Sequence, residues 1–128
     1  METTTLRSPV VDREPHEAFL LSRVFAGLSD PTRLRILLLL LEGEHNVGEL
    51  VSADGSSQGR VSTHLQCLRW CGFVSSERRG KYVYYRVRDR QVRELIALAR
   101  AFAASYHQEL ASCAVLDREA ARGENEAV

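Results

Sequence analysis

The stretch "NVGELVSADGSSQGRVSTHLQCLRWCGFV", Asn46 to Val74, decides the fold. Asn46 is a good helix N-cap, and Glu49 follows three residues later, as in a capping box. Val47, Leu50 and Val51 then make a short inward face. "ADGSSQG" interrupts the pattern, and Ser57 caps a second helix. Val61, Leu65 and Leu68 form the inner face of that helix, and Gly72 stops it. Two short helices joined by a glycine-containing turn make a helix-turn-helix.

Upstream, Ala18, Leu21, Phe25 and Leu28 step by three and four, which predicts a helix with one apolar face. "SDPTRLRILLLLLEG" predicts the next helix, with Asp30 as N-cap, Pro31 at the first helical position and Gly43 as the stop. Its six consecutive apolar residues, Ile36 to Leu41, mark the central core helix. Downstream, "FVSSERRGKYVYYRV" changes period and reads as a β-hairpin turning at Arg79–Gly80. Val92, Leu95, Ile96, Ala99, Phe102, Ala103, Tyr106 and Leu110 then keep helical spacing for about five turns. So long an apolar stripe exceeds what a small core can cover, and it predicts a dimer seam.

The expected class is therefore mainly α with a small β-hairpin: a winged helix-turn-helix, dimeric. Residues 1–15 read as a flexible arm, 16–114 as the winged helix-turn-helix DNA-binding and dimerisation domain, and 115–128 as a charged, disordered tail. At 128 residues the chain suits one domain with a modest core. No apolar run reaches the roughly 18–20 residues of a membrane span. The N-terminus lacks a signal-peptide core, so the expected location is the cytoplasm and no membrane partner is expected. In a reducing compartment three cysteines read as free thiols or metal ligands.

Formal net charge is zero, which taken alone argues against nucleic acid. Its distribution argues the other way. Between Arg60 and Arg93 nine basic residues face two acids, Glu77 and Asp89, so this segment carries +7 and the remainder −7. A split this steep puts a positive face on a neutral protein.

The order helix, helix, helix-turn-helix, hairpin, long helix also resembles a known family, the ArsR/SmtB metal-sensing repressors. "LSDPTRLRILLLLLEG" is similar to that family's second helix, "SSQGRVSTHLQCLRWCGFV" to its recognition helix and "RRGKYVYYRV" to its wing. The resemblance runs from about residue 18 to 110 in continuous order. It implies a homodimer that represses its operator without metal and lets go when metal binds. The subtype with a Cys-Val-Cys core in the third helix is not matched, since "HNVGEL" holds no cysteine. The zinc subtype is not matched either: Asp89 is present, but Gln91, Phe102 and Ser105 stand at its other ligand positions. Cys67, Cys71 and Cys113 are similar to the CmtR cadmium/lead sensor subtype and to actinobacterial mercury-responsive repressors.

The residues themselves support that chemistry. Cys67 and Cys71 stand at i, i+4 on one helical face, roughly 6 Å apart at Cβ. The spacing suits one ion held by two thiolates and suits a disulfide poorly. Cys113 would complete a trigonal sulfur set, from its own chain or from the partner. Soft ligands select soft ions, so Hg(II), Cd(II) and Pb(II) are the expected effectors. The alternative is that buried cysteines are merely small hydrophobes. His16, His45 and His107 read as surface residues, with His107 a weaker ligand candidate.

For DNA, Ser57, Gln58, Arg60, Ser62, Thr63 and His64 fall in the first two turns of the recognition helix, the part that enters the major groove. Arg60 suits guanine and Gln58 suits adenine, while Ser57 and Thr63 suit phosphates. At the wing, Arg78, Arg79 and Lys81 suit phosphates or the minor groove. No Ser/His/Asp set, paired carboxylates or glycine-rich phosphate loop is visible, so no enzyme is expected. Two rivals remain open: a thiol redox-switch repressor on the same fold, and a winged-helix dimerisation module that binds only protein.

Overall fold

The structure is a computed structural model that describes residues 14–127. The predicted N-terminal arm lies outside the described residues apart from its last two positions. The chain divides into two compact units, Met1–Asp89 and Arg90–Val128.

In the first unit, α1 spans Glu14–Gly27 and α2 spans Pro31–Glu42. The backbone N–H of Arg33 donates to the Asp30 carboxylate at 2.9 Å, and Pro31 opens the helix as expected. A guanidinium closes α1: Arg33 Nη1 donates to the Gly27 carbonyl at 3.0 Å and to the Ala26 carbonyl at 3.4 Å. A cation at a helix C-terminus satisfies orphan carbonyls and complements the helix dipole. Gly43 ends α2, its N–H donating to Leu40.

α3 spans Val47–Asp54 with the predicted capping box, Glu49 N to Asn46 Oδ1 at 2.9 Å and Asn46 N to Glu49 Oε1 at 3.0 Å. Gly55 leaves it at φ +85°, where any side chain would be strained. α4 spans Gln58–Trp70, capped by Ser57 through Arg60 N at 3.2 Å. Ile36, Leu37 and Leu40 of α2, Leu50 of α3, and Val61, Leu65 and Leu68 of α4 make a core with almost no exposure. The inner face read from spacing in α4 is the face that packs, whereas Leu21 and Phe25 of the face read in α1 are exposed.

Two strands form the wing, β2 (Val74–Arg79) and β3 (Tyr82–Val87), paired antiparallel from Val74↔Val87 to Arg79↔Tyr82. The turn residues are therefore Gly80 and Lys81, one position beyond the predicted Arg79–Gly80, because Arg79 stays in the ladder and Gly80 takes φ +64°. A further strand, β1 (His45–Asn46), pairs with β3 through His45↔Tyr85 and Asn46↔Tyr84. The sheet order is β1-β3-β2, three strands where the sequence suggests two. Two residues give no period to read, and the same Asn46 was already accounted for as a helix cap.

The second unit holds α5 (Arg90–Ser105), α6 (His107–Ala111) and α7 (Ala114–Ala127). Two expectations are corrected here. The long last helix is interrupted at Tyr106, whose φ −118° and ψ 34° leave the helical region. The tail is helical as α7, since "AVLDREAARGENEA" is rich in Ala, Glu and Arg, which favour helix whatever their charge. Val92 and Ile96 are buried, whereas Leu98, Phe102, Tyr106 and Leu110 are exposed.

Candidate nucleic-acid and metal interface

The first half of α4 presents polar groups outward. Gln58, Arg60, Ser62 and Thr63 are exposed. Ser57 is exposed too, but its hydroxyl is occupied as the cap. Thr63 Oγ1 donates to the Gly59 carbonyl at 2.9 Å. An exposed Arg60 head on the first turn suits a base edge, the geometry a recognition helix needs.

His64 departs from the expected outward pose. Its side chain is only 13% exposed, and Nε2 lies 3.3 Å from the Asp30 carboxylate. Nδ1 is buried with no hydrogen-bond partner. Burial pushes its pKa below the usual histidine value, Asp30 and Asp54 pull it back up, and Arg33 and Arg60 push it further down. His64 thus ties the recognition helix to the N-cap of α2 and does not stand ready for a base. Nothing in its sequence position separates it from Thr63 beside it; its place one residue before the buried Leu65 is the one signal.

At the wing, Arg78 and Lys81 are exposed, with Lys81 Nζ 5.5 Å from the Tyr82 ring centre. Arg79 is committed elsewhere. Its Nη2 donates to Glu44 Oε1 at 2.7 Å and lies 3.4 Å from Glu77, and its guanidinium sits 4.6 Å from the Tyr84 ring centre. The hydrogen bond from Arg79 holds the Glu44 carboxyl below its usual pKa. Glu44 precedes β1, so this pair was invisible without the β1–β3 pairing.

The second half of α4 carries the thiols. Cys67 is half-buried, and Cys71 caps the helix, its N–H donating to the Cys67 carbonyl at 2.9 Å. The Cys71 residue is exposed while its sulfur turns inward against Gly27. A Cβ at Gly27 would stand 3.2 Å from Cys71 Sγ and 3.2 Å from Phe73 Cε2. Glycine is what lets α1 approach the thiol this closely. Burial raises the Cys71 pKa above the usual thiol value, the neighbouring Cys67 thiol raises it further, and Arg33 and Arg23 oppose both. A thiophilic ion bound at Cys71 would have to displace its proton.

Two thiols at i, i+4 fit a soft cation by donor type and spacing. Among the described residues no three His, Cys, Asp or Glu side chains converge on one point. Cys113, half-buried in the second unit, follows α6 and its carbonyl accepts from Asp117 N at 3.0 Å. It lies between α6 and α7, directly before the first residue of α7.

Comparison with known proteins extends this description. Residues 30–76 match the model of the bacterial regulatory protein, arsR family. The chain is 47% identical over 92 residues to the "Probable mercury resistance operon repressor" of Streptomyces lividans, covering 72% of this chain and 74% of that protein. It is 44% identical over 69 residues to the regulator CmtR of Mycobacterium tuberculosis, covering 54% of this chain and 58% of that one. Among solved structures, the homodimeric winged helix-turn-helix DNA-binding domain of Mb0332 from Mycobacterium bovis superposes with a TM-score of 0.70. It is 34% identical and covers 74% of this chain and 88% of the domain. No helix among the described residues is long and apolar enough to cross a membrane.

Proposed function

The chain belongs to the ArsR family of bacterial regulatory proteins, transcriptional regulators and not enzymes, and on that premise we propose a repressor released by a soft metal ion. In this reading a homodimer binds operator DNA through Gln58, Arg60, Ser62 and Thr63, with Ser57, Arg78 and Lys81 on phosphates. Arg79 holds the wing in shape, and His64 holds the helix. Hg(II), Cd(II) or Pb(II) binds Cys67 and Cys71, with Cys113 as third donor, and the operator is let go.

One observation carries the reading: the two thiols stand on the same helix as the base-reading residues, and Cys71 is packed against α1. The name of the Streptomyces lividans relative points to the same class of effector, and that of the Mycobacterium tuberculosis relative to a transcriptional regulator. Dimerisation is supported by Leu21 and Phe25 of α1 and by Leu98, Phe102 and Tyr106 of α5 and its end, which are 48–72% exposed. Faces of this size rarely stay uncovered.

The test is release. The full chain on its operator is titrated with Hg(II), Cd(II), Pb(II), Zn(II) and arsenite. Soft divalent ions should release it below the Zn(II) concentration, with thiolate charge-transfer absorption rising in step. Cys67→Ser and Cys71→Ser should bind operator and ignore the metal. A Cys67→Ser protein that lets go at the wild-type metal concentration refutes the proposal.

A further inference from the structure

Cys71 opens onto a groove. Phe19, Leu20, Arg23 and Val24 of α1 face Trp70 and Cys71 at the end of α4 around a space of about 440 Å³. Three features make it more than a surface dimple. The lining is apolar apart from one guanidinium and one thiol. Trp70, the only tryptophan of the chain, is 82% exposed at its rim. Arg23 already lies over an aromatic ring, 5.7 Å from the Phe19 centre, so the wall is built to hold a flat π-face beside a cation. An apolar cavity of roughly 150 Å³ suffices for a benzene ring.

Only one thiol lines the groove, for Cys67 is not among its walls. A bare ion needs at least two sulfurs. A mercury atom that already carries one carbon needs only one more ligand. Resting on the function proposed above, we propose that the groove takes the aryl group of a monoaryl mercury(II) compound, whose metal is captured by Cys71. The exchange is redox-neutral. The Cys71 sulfur forms the Hg–S bond, the Hg–acetate bond (or, in glutathione, the Hg–S bond to glutathione) breaks, the thiol proton goes to the leaving acetate or glutathione, and the Hg–C bond stays whole. In the chain as described, Phe19, Leu20 and Trp70 at the mouth of the groove are 50–82% exposed.

The test uses the full-length dimer in excess glutathione, with phenylmercury acetate, methylmercury chloride and mercury(II) chloride as probes. Adducts per chain are counted by native mass spectrometry. The wild type should retain phenylmercury about tenfold better than methylmercury, the preference expected from burying a ring. Trp70→Ala should bring that ratio toward one while leaving mercury(II) retention unchanged. Cys67→Ser should lose mercury(II) and keep phenylmercury. Cys71→Ser gives the background of the two remaining thiols, Cys67 and Cys113. A phenyl-to-methyl ratio equal in wild type and Cys71→Ser overturns the proposal. Failure of the wild type to retain mercury(II) overturns the metal-sensing function instead, and the two results are read from separate probes.

Discussion

Gly27→Ala is the sharpest single perturbation of the thiol-bearing end of α4. The added Cβ meets Cys71 Sγ and Phe73 Cε2, both at 3.2 Å. Phe73 is 6% exposed and belongs to the core, so it cannot swing out without losing its burial. The thiol is the softer neighbour and must move. Overpacking by one methyl costs about 1–3 kcal/mol, while Ala over Gly in a helix returns up to about 1 kcal/mol. At the end of α1 the helix gain is small, so the net is a loss of about 1 kcal/mol. That corresponds to roughly 3–5 °C in Tm for a chain of this size. The second effect is on function: a rotated Cys71 no longer faces the same point as Cys67. Cd(II) affinity, measured by charge-transfer absorption against a competing chelator, should fall about tenfold, or about 1.4 kcal/mol. Operator affinity without metal should hold. A Tm that rises, together with a superimposable Cd(II) titration, would refute the packing of α1 on the thiol.

Arg60→Ala should weaken operator binding by about 1–3 kcal/mol in a fluorescence anisotropy titration and leave Cd(II) affinity alone. At the wing, Lys81→Ala should reduce the salt slope of operator binding by about one, whereas Arg79→Ala should change it far less, because Arg79 is already neutralised by Glu44. His64 is held neutral, its folded pKa below the unfolded value, so the unfolded chain binds the extra proton. Its contribution to stability is present above about pH 6.5 and is lost as pH falls through the folded pKa. Denaturant midpoints between pH 7 and 5 should drop less in His64→Gln than in the wild type. Since Cys71 holds its proton more tightly than an ordinary thiol, Cd(II) affinity should climb with pH by about tenfold per unit for each proton displaced; a pH-independent affinity would contradict a thiolate site.

The sequence is most legible where one residue has one task. Asp30, Asn46 and Ser57 cap helices because short acceptors precede apolar periods, and each cap is found. Leu50, Val61, Leu65 and Leu68 are buried because their spacing leaves them one face. Legibility fails where a residue has a second, long-range partner. Asn46 caps α3 and also pairs with Tyr84. Asp30 caps α2 and also faces His64. Gly27 carries no signal in its own stretch, since its role is set by Cys71, forty-four positions on. The tail misled for another reason: charge suggested disorder, and helix propensity prevailed in α7.

On the proposed function, the same second partners would let one helix both read and sense. Arg33 links them: its backbone N–H is capped by Asp30, and its guanidinium holds the last carbonyls of α1 at Ala26 and Gly27. Asp30 faces His64 in the reading half of α4, and Gly27 faces Cys71 at its sensing end. One turn of α2 is thus anchored to both halves of the recognition helix. A ligand shifts an equilibrium only by its differential affinity for the two states. On that proposal, an ion that drew the Cys71 sulfur toward Cys67 would change the contact with Gly27 and pass strain to a helix whose other end is held at Asp30. Coupling is reciprocal, so an operator affinity reduced about 100-fold by metal means a metal affinity reduced about 100-fold by operator, roughly 2.7 kcal/mol. Loosening the reading-half anchor should lower that figure without touching a thiol. Asp30→Asn keeps an N-cap acceptor but drops the charge facing His64. It should leave Cd(II) affinity of the free protein unchanged and narrow the gap between free and operator-bound protein. An unchanged gap would place the coupling outside α2, in the dimer seam alone.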